Sequence, residues 1–330
     1  MSLQIGIVGL PNVGKSTLFN ALLRRQQALV ANYPFATIEP NVGVVPVPDS
    51  RLGELSRIVG QSEHVEGVPL VPATVRFVDI AGLVKGAAEG AGLGNKFLSH
   101  IREVDLICEV VRAFPDPDVI KEGSVDPVSD KEVINTELIL ADLQTVQNSK
   151  TKYPELEAKL NRGELAGEEG KELQLLTSKK ILYVYNVNTV TSWAGLPDDG
   201  VVIDAKLEAE LAVLSPDEQE EYLESLGVKD SGVNALIRSA YATLGLISFL
   251  TAGVKEVRAW PIPKGMKAPQ AAGTIHTDFE KGFIKAEVVD FDDFVSYNGW
   301  QECRKLGKVR FEGKEYVMKD GDVVEFRVGV

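Results

Sequence analysis

A chain of 330 residues with 44% hydrophobic and 25% charged residues has the composition of a globular protein with two or three domains. Its formal net charge of −13 argues against a uniformly basic nucleic-acid-binding protein but leaves room for a local basic surface. Only Cys108 and Cys303 are present, which excludes a disulfide framework and a paired zinc site. We expect a cytoplasmic protein without a membrane partner, because the sequence contains neither a signal peptide nor a run of about 18 apolar residues.

The first motif follows a short apolar strand. Residues 3–8 read LQIGIV, residues 9–17 read GLPNVGKST, and a helix-like apolar segment continues from Ser16. A strand that enters such a loop and a helix that leaves it are the context in which this spacing indicates phosphate binding. The sequence therefore predicts a site for a nucleoside triphosphate.

Each position of this loop has an expected role. Gly9 and Gly14 allow backbone N–H groups to face the phosphates at a helix N-terminus. Lys15 is expected to act in catalysis by reaching the β- and γ-phosphates, and Ser16 is expected to bind Mg²⁺. The predicted nucleotide-binding residues of the loop are Asn12, Val13, Gly14, Lys15, Ser16 and Thr17.

Two later segments complete the predicted magnesium site. Residues 33–41 read YPFATIEPN and offer Thr37 as a switch I residue with metal-binding and catalytic roles, the alternative being an ordinary strand-edge threonine. Residues 75–78 read VRFV and predict a buried strand that ends at Asp79, where a carboxylate can hold the Mg²⁺ water shell. The predicted metal ligands are therefore Ser16, Thr37 and Asp79.

The segment after Asp79 suggests slow chemistry. Residues 83–96 are glycine-rich, as expected of a loop that moves with nucleotide state. Leu83 stands where Ras-like proteins orient the attacking water with a glutamine, and an apolar side chain cannot do this. Hydrolysis should then depend on the metal, on Lys15 and on backbone donors, and should be slow without a partner.

Residues 131–178 are charged and carry apolar side chains at helical spacing. They predict an antiparallel helical arm that is broken near 161–163, the alternative being a pair of ordinary surface helices. A strand at 180–185 then leads into a candidate base-reading segment.

The candidate base-reading residues are Asn186, Val187 and Asn188. In the GTPase pattern Asn-Lys-x-Asp, a carboxylate in the fourth position accepts hydrogen bonds from guanine, but Thr189 occupies that position here. Guanine specificity is therefore not encoded, and an adenine contact of Asn186 or Asn188 with N6 and N7 is at least as well supported.

From residue 251 onward, alternating valine and aromatic residues between turn signals predict a β-rich domain. Its basic residues could face RNA with help from Phe283 and Trp300, although interleaved acidic residues favour a solvated face of mixed charge. The basic residues in question are Lys281, Lys285, Arg304, Lys305, Lys308 and Arg310.

Together these motifs resemble the YchF or Obg-like ATPase family. The resemblance rests on residues 9–17, 34–41, 79–97, 249–260 and 268–283. It implies a Ras-like α/β P-loop nucleotide domain with an inserted helical arm, a small C-terminal β-rich, β-grasp-like TGS domain, a preference for ATP over GTP, and the ribosome and its rRNA, not DNA, as partners. This chain departs from the family pattern at Thr189, where relatives commonly have Glu, and at Glu109, where many have His.

We therefore predict a nucleotide domain at 1–130 and 179–245, an arm at 131–178 and a TGS domain at 246–330. The expected function is that of a Mg²⁺-dependent, slow ATPase that acts as a switch on the ribosome. Two alternatives remain open, namely a GTPase of the same fold and a nucleotide-gated RNA- or ribosome-binding module whose hydrolysis is incidental.

Overall fold

The computed structural model describes residues 3–32, 41–80, 93–114, 126–188, 196–228 and 230–329. The strands are β1 (Gln4–Val8), β2 (Val42–Pro46), β3 (Leu70–Val71), β4 (Thr74–Asp79), β5 (Leu106–Arg112), β6 (Lys180–Asn186), β7 (Gly200–Ile203), β8 (Leu246–Ala252), β9 (Val257–Pro263), β10 (Phe283–Asp290), β11 (Arg310–Glu312) and β12 (Asp322–Val328). The helices are α1 (Lys15–Asn32), α2 (Arg51–Glu63), α3 (Leu93–Glu103), α4 (Pro127–Asn148), α5 (Pro154–Asn161), α6 (Ala205–Leu211), α7 (Pro216–Ser225), α8 (Gly232–Thr243), α9 (Ala268–Ile275), α10 (Thr277–Lys281), α11 (Phe291–Ser296) and α12 (Trp300–Lys305).

The chain divides into two compact units. The first comprises Met1–Val45 and Val75–Leu244, and the second comprises Pro46–Thr74 and Gly245–Val330. Each unit contains a six-stranded sheet. The predicted α/β class with a β-rich C-terminal part is confirmed.

The sheet of the first unit has the strand order β2-β4-β1-β5-β6-β7. Strand β1 pairs in parallel with β4 and β5, and the parallel pairing continues from β5 to β6 and from β6 to β7. In such a sheet the carboxyl ends of neighbouring strands meet at one edge, which is where ligands bind in open α/β folds. The phosphate loop, Asp79 and Asn186 all follow strand ends at this edge.

Helix α4 begins at Pro127, four residues before the predicted arm. Its N-cap, Asp126, accepts a hydrogen bond from the Val128 N–H at 3.0 Å, and proline at the first helical position needs no such partner. Ile134 and Leu138 pack into the core of the sheet, so the first half of the helix belongs to the nucleotide unit. The second half packs with α5 in a separate small cluster, and α5 ends at the predicted break.

The second unit differs from the predicted boundaries, because residues 46–74 join the C-terminal part instead of the nucleotide domain. Helix α2 buries Leu52, Leu55, Ile58 and Val59 and packs against β8, β9 and α11, which explains this grouping. Strand β3 extends the C-terminal sheet by pairing in parallel with β9. Burial of an apolar helix face thus outweighs proximity in sequence.

The C-terminal sheet has the order β11-β10-β12-β8-β9-β3, and its core on one face includes Phe249, Ala271, Phe283 and Val324. Phe283 is 5% exposed, so the suggestion that it faces RNA is wrong. No helix in the described parts of the chain has the length and apolar character required to cross a membrane.

A carboxyl group lies inside the first sheet. All seven residues of the central strand β5 are buried, and Glu109 among them is 0% exposed, in register with Val8 and Tyr183. Neither carboxylate oxygen of Glu109 has a hydrogen-bond partner among the described residues. Removal of a carboxylate from water disfavours its charged form.

Burial accordingly raises the pKa of Glu109 to about 8. This value includes the charges nearby: the ammonium group of Lys131 lowers the pKa of Glu109, and the carboxylates of Asp130 and Asp199 raise it. At neutral pH the neutral acid therefore predominates. Unfolding would return Glu109 to an ordinary carboxyl pKa near 4.5.

We expect Glu109→Gln to stabilise the protein increasingly as the pH rises. Because the folded state holds the Glu109 proton more tightly than the unfolded state, the free energy of unfolding of the wild-type protein falls between about pH 4.5 and about pH 8 and then levels. The glutamine variant lacks this component, which is on the order of 3–5 kcal/mol. Urea unfolding followed by circular dichroism between about pH 5 and about pH 8.5 measures the difference.

The matched control is Glu132→Gln, which changes an exposed carboxylate on α4. This control should follow the wild-type pH profile. Parallel profiles for Glu109→Gln and the wild-type protein would show that Glu109 titrates normally.

Candidate nucleotide-binding site

The loop between β1 and α1 turns tightly against β5. Asn12 and Gly14 have φ angles of 62° and 98°, the left-handed region that glycine adopts without cost. A Cβ atom at Gly9 would lie 2.5 Å from the Val110 carbonyl oxygen, so only glycine fits this close approach. Positive φ angles and a close approach that only glycine allows are the backbone features on which a phosphate-binding loop depends.

Lys15 and Asp79 lie within electrostatic range of one another at this edge. The Lys15 Nζ donates a hydrogen bond to the Leu10 carbonyl oxygen at 2.7 Å, so the ammonium group lies along the inside of the loop. Burial lowers the pKa of Lys15, and the charge of Asp79 partly opposes this effect. Burial likewise raises the pKa of Asp79, which Lys15 opposes. The two side chains form the charged centre of the site.

The donor set fits a hard divalent cation. Ser16 is exposed at the start of α1, and Asp79 lies half-buried at the end of β4, so a hydroxyl and a carboxylate are at hand. Oxygen ligands of this kind, completed by water and phosphate oxygens, are those Mg²⁺ prefers. Within the described residues no group of three or more His, Cys, Asp and Glu side chains forms a separate metal site. Thr17 is exposed, and Thr37, Leu83 and Thr189 lie outside the described residues.

Asn186 supports the loop from behind. Its Nδ2 donates to the Val13 carbonyl oxygen at 2.9 Å, and its Oδ1 accepts from the Ala205 N–H at 3.0 Å. The side chain is 4% exposed. A Cβ atom at Gly14 would lie 2.3 Å from Asn186 Nδ2, so the glycine also makes this contact possible.

The base contact is expected of Asn186 or Asn188, and the structure gives Asn186 a further role. Its amide oxygen and one N–H are engaged with the backbone, which gives Asn186 a positioning role between the phosphate loop and α6. Val187 is buried and donates its backbone N–H to the Ile203 carbonyl oxygen at 2.7 Å, whereas Asn188 is exposed at the strand end. Asn188 is therefore better placed to meet a base.

A second support for this region was not anticipated from the sequence. Asp204 caps α6 by accepting hydrogen bonds from the backbone N–H groups of Lys206 and Leu207, each at 3.0 Å. The cap fixes the start of α6, where the Ala205 N–H meets Asn186. An aspartate directly after a strand and before an apolar helix is the signal that would have revealed it.

We expect Asn186→Ala to weaken ATP and GTP binding by similar factors, about 10- to 100-fold. The substitution leaves the Ala205 N–H and the Val13 carbonyl group unpaired behind the phosphate loop, which every nucleotide uses. Asn188→Ala is the contrasting variant and should change the ratio of the two affinities. Calorimetric titration of both variants measures this, and a base-selective loss in Asn186→Ala would contradict the positioning role.

Comparison with known proteins places this geometry in a family. Residues 4–151 match a family model described as 50S ribosome-binding GTPase, and residues 246–329 match the model YchF-GTPase_C. Proteins described as Ribosome-binding ATPase YchF from Bacillus subtilis and Escherichia coli O157:H7 are each 46% identical over 100% of this chain and 100% of their own length.

A solved structure shows the same fold. The Schizosaccharomyces pombe YchF GTPase superposes with a TM-score of 0.81 at 36% identity, covering 99% of this chain and 98% of that chain. The alignment with the Bacillus subtilis relative spans 373 positions, so the relative carries segments that this 330-residue chain lacks. Identity at this level over the full length shows that the chain belongs to the YchF family.

Proposed function

We propose that this chain is a P-loop ATPase of slow intrinsic rate that acts as a nucleotide-dependent switch on the ribosome. The observation that carries the proposal is the phosphate loop, with Lys15 and Asp79 within electrostatic range of one another at the sheet edge and Asn186 bonded behind the loop. The printed description of the curated relatives, ribosome-binding ATPase, supports the choice of nucleotide and partner.

The proposed nucleotide-binding residues are Asn12, Val13, Gly14, Lys15, Ser16 and Thr17 in the loop and Asn186, Val187 and Asn188 at the carboxyl end of β6. Lys15 neutralises charge on the β- and γ-phosphates, which is the main electrostatic demand of phosphoryl transfer. Asn186 keeps the loop in place while Asn188 meets the base. Because Leu83 cannot orient water, the attacking water lacks its usual partner and turnover is slow.

Mg²⁺ is the proposed cofactor, with Ser16, Asp79 and Thr37 as its protein ligands. When bound, the ion supplies positive charge that stabilises the transferred phosphoryl group. The hydroxyl of Ser16 and the carboxylate of Asp79 supply oxygen donors at adjoining strand and helix ends. A cytoplasmic location accords with ribosomal association.

Ribosomal RNA is the proposed point of contact on the ribosome. The C-terminal residues 246–330 contain 13 Lys and Arg and 13 Asp and Glu, so the whole formal net charge of −13 lies in the remainder of the chain. A segment without net charge meets a polyanion with far less repulsion than an acidic one. Residues 246–330 are therefore the part of the chain that we assign to the RNA contact.

The GTPase alternative remains a second candidate, because the matched family model and the fission yeast structure are both described as GTPases. We expect a non-hydrolysable ATP analogue to bind at least about tenfold more tightly than the GTP analogue, since Thr189 provides no carboxylate for guanine. Side-by-side calorimetric titration of the magnesium-loaded protein measures the ratio. Tighter GTP binding would reject the ATPase assignment in favour of the GTPase.

We expect Lys15→Ala to reduce ATP hydrolysis by roughly 100-fold or more while the circular dichroism spectrum stays unchanged. The control is Lys171→Ala, which changes an ammonium group that is 61% exposed and paired with Glu168. Normal ATP turnover by a folded Lys15→Ala variant would contradict the assignment of residues 9–17 as the phosphate-binding loop.

The same variant separates a switch from a passive binding module. If the chain acts as a switch, the fraction of wild-type protein that co-sediments with ribosomes differs between the ATP analogue and ADP. The Lys15→Ala variant should show no such difference. If co-sedimentation is insensitive to both nucleotide and substitution, the chain is a ribosome-binding module with incidental hydrolysis.

A further inference from the structure

Part of one face of the C-terminal sheet, formed by β11 and the adjoining residues of β10 and β12, carries polar and aromatic side chains. In the antiparallel pairing of β10, Lys285 lies opposite Arg327, and Glu287 lies opposite both Glu325 on β12 and Phe311 on β11. Residues directly opposite one another in an antiparallel pair project to the same side of the sheet. These five side chains therefore share one surface, which we name the open sheet face.

The opposite side of the same strands is covered by a hydrophobic core. Ala286 and Val288 on β10 and Val324 on β12 point there and belong to the hydrophobic core with Phe283. Arg310 also projects to that side, because it lies opposite Val288, and it is bound in ion pairs that include Asp290 at 2.6 Å. The basic residues named from the sequence thus divide between two faces.

Phe311 is the exposed aromatic residue of the open sheet face. Its side chain is 64% exposed on the edge strand β11, where it adds little to the core. The Lys285 Nζ lies 4.0 Å from the centroid of the ring. The cation lies over one face of this exposed ring, and a base that stacks on the other face brings its phosphate near the cation.

Three cations surround a buried carboxylate on this face. The Glu287 side chain is 8% exposed and accepts from the Arg327 Nε at 2.8 Å and from an Arg304 guanidinium nitrogen at 3.2 Å. Lys285 lies 3.7 Å from the same carboxylate. The buried carboxylate holds the cationic groups in place from below, while both guanidinium groups remain about half exposed.

Glu325 is the second carboxylate of the face and pairs with Arg304 at 2.7 Å and Arg327 at 2.9 Å. With Arg304 included, the face has three cations against two carboxylates, one of them buried. Each guanidinium has five N–H donors, so the ion pairs leave donors for phosphate oxygens. A positive surface of this kind stands out in a chain whose formal net charge is −13.

We propose that the open sheet face, together with Arg304, binds single-stranded RNA. A base stacks on Phe311, and backbone phosphates contact Lys285, Arg304 and Arg327. Single-stranded RNA fits better than a duplex, because bases in a duplex are stacked on one another and cannot reach an aromatic side chain. The inference rests on the proposed ribosomal association and specifies the surface and the kind of RNA involved.

The primary test uses the full chain and a fluorescent single-stranded RNA of about 12 nucleotides, with its duplex as comparison, in fluorescence anisotropy at low salt. We expect Phe311→Ala to weaken single-strand binding by about five- to tenfold, the loss of stacking for one base. The matched control is Val254→Ala, an apolar residue 48% exposed in the turn between β8 and β9, which should bind as the wild-type protein does. Phe311→Trp should retain or strengthen binding.

A charge variant tests the proposed contacts with the RNA phosphates. Lys285→Gln should weaken binding and should reduce the slope of log affinity against log salt concentration by about 0.7, the value for one phosphate of a single strand. Lys264→Gln is the control, since it removes an exposed cation from the turn after β9. Unchanged circular dichroism and ATP hydrolysis in all variants show that the chain remains intact.

Co-sedimentation with ribosomes separates this inference from the proposed function. Weaker ribosome binding by Phe311→Ala, together with its weaker RNA binding, supports both. If wild-type protein binds the RNA single strand through this face but does not sediment with ribosomes, the proposed function fails and the RNA site stands. Equal affinity for single strand and duplex, unchanged RNA affinity in both variants, or a ribosome defect without an RNA defect would each overturn the proposal, the last in favour of a ribosomal protein.

Discussion

The candidate site depends on two hydrogen bonds made by one side chain. Asn186 lies at the end of β6, donates a hydrogen bond to Val13 in the phosphate loop and accepts one from the first N–H of α6. It therefore connects the phosphate loop with β6 and α6. Gly14 is the residue that allows this approach, because any side chain there would collide with the amide. A buried amide whose oxygen and N–H are both hydrogen-bonded to backbone groups has one preferred position. The phosphate loop is bonded to this amide and is therefore held in one position as well.

Three ionisable side chains of the same unit are partly or fully buried. Lys15 and Asp79 each lose part of their hydration, and the attraction between their opposite charges partly offsets this loss. Glu109, by contrast, lies in the middle of the sheet without a hydrogen-bond partner among the described residues, and it remains neutral at ordinary pH. Charge is thus kept where a phosphate is to be bound and is disfavoured where a carboxyl group is buried without a hydrogen bond from the described residues.

The C-terminal unit distributes charge differently. Glu287 is buried but remains ionised, because Arg327 and Arg304 bond to it and hold its pKa below the usual value. The arginines that bond to Glu287 are also exposed on the open sheet face. Their ion pairs with Glu287 therefore compensate a buried charge and hold cations at the surface. Helix α2 completes this unit from a distant part of the chain, since its apolar face packs against β8, β9 and α11.

The sequence by itself determined the phosphate loop, the strand that ends at Asp79, the α/β class and the family, because these depend on local spacing and on alternation of apolar residues. The positions of α5 and of the β6 strand end were also predictable for this reason. Only the tertiary structure decided that residues 46–74 belong with the C-terminal part, that Phe283 is core and that Asn186 faces the loop. These features depend on strand register and on competition for burial between segments far apart in sequence, and no local pattern contains that information.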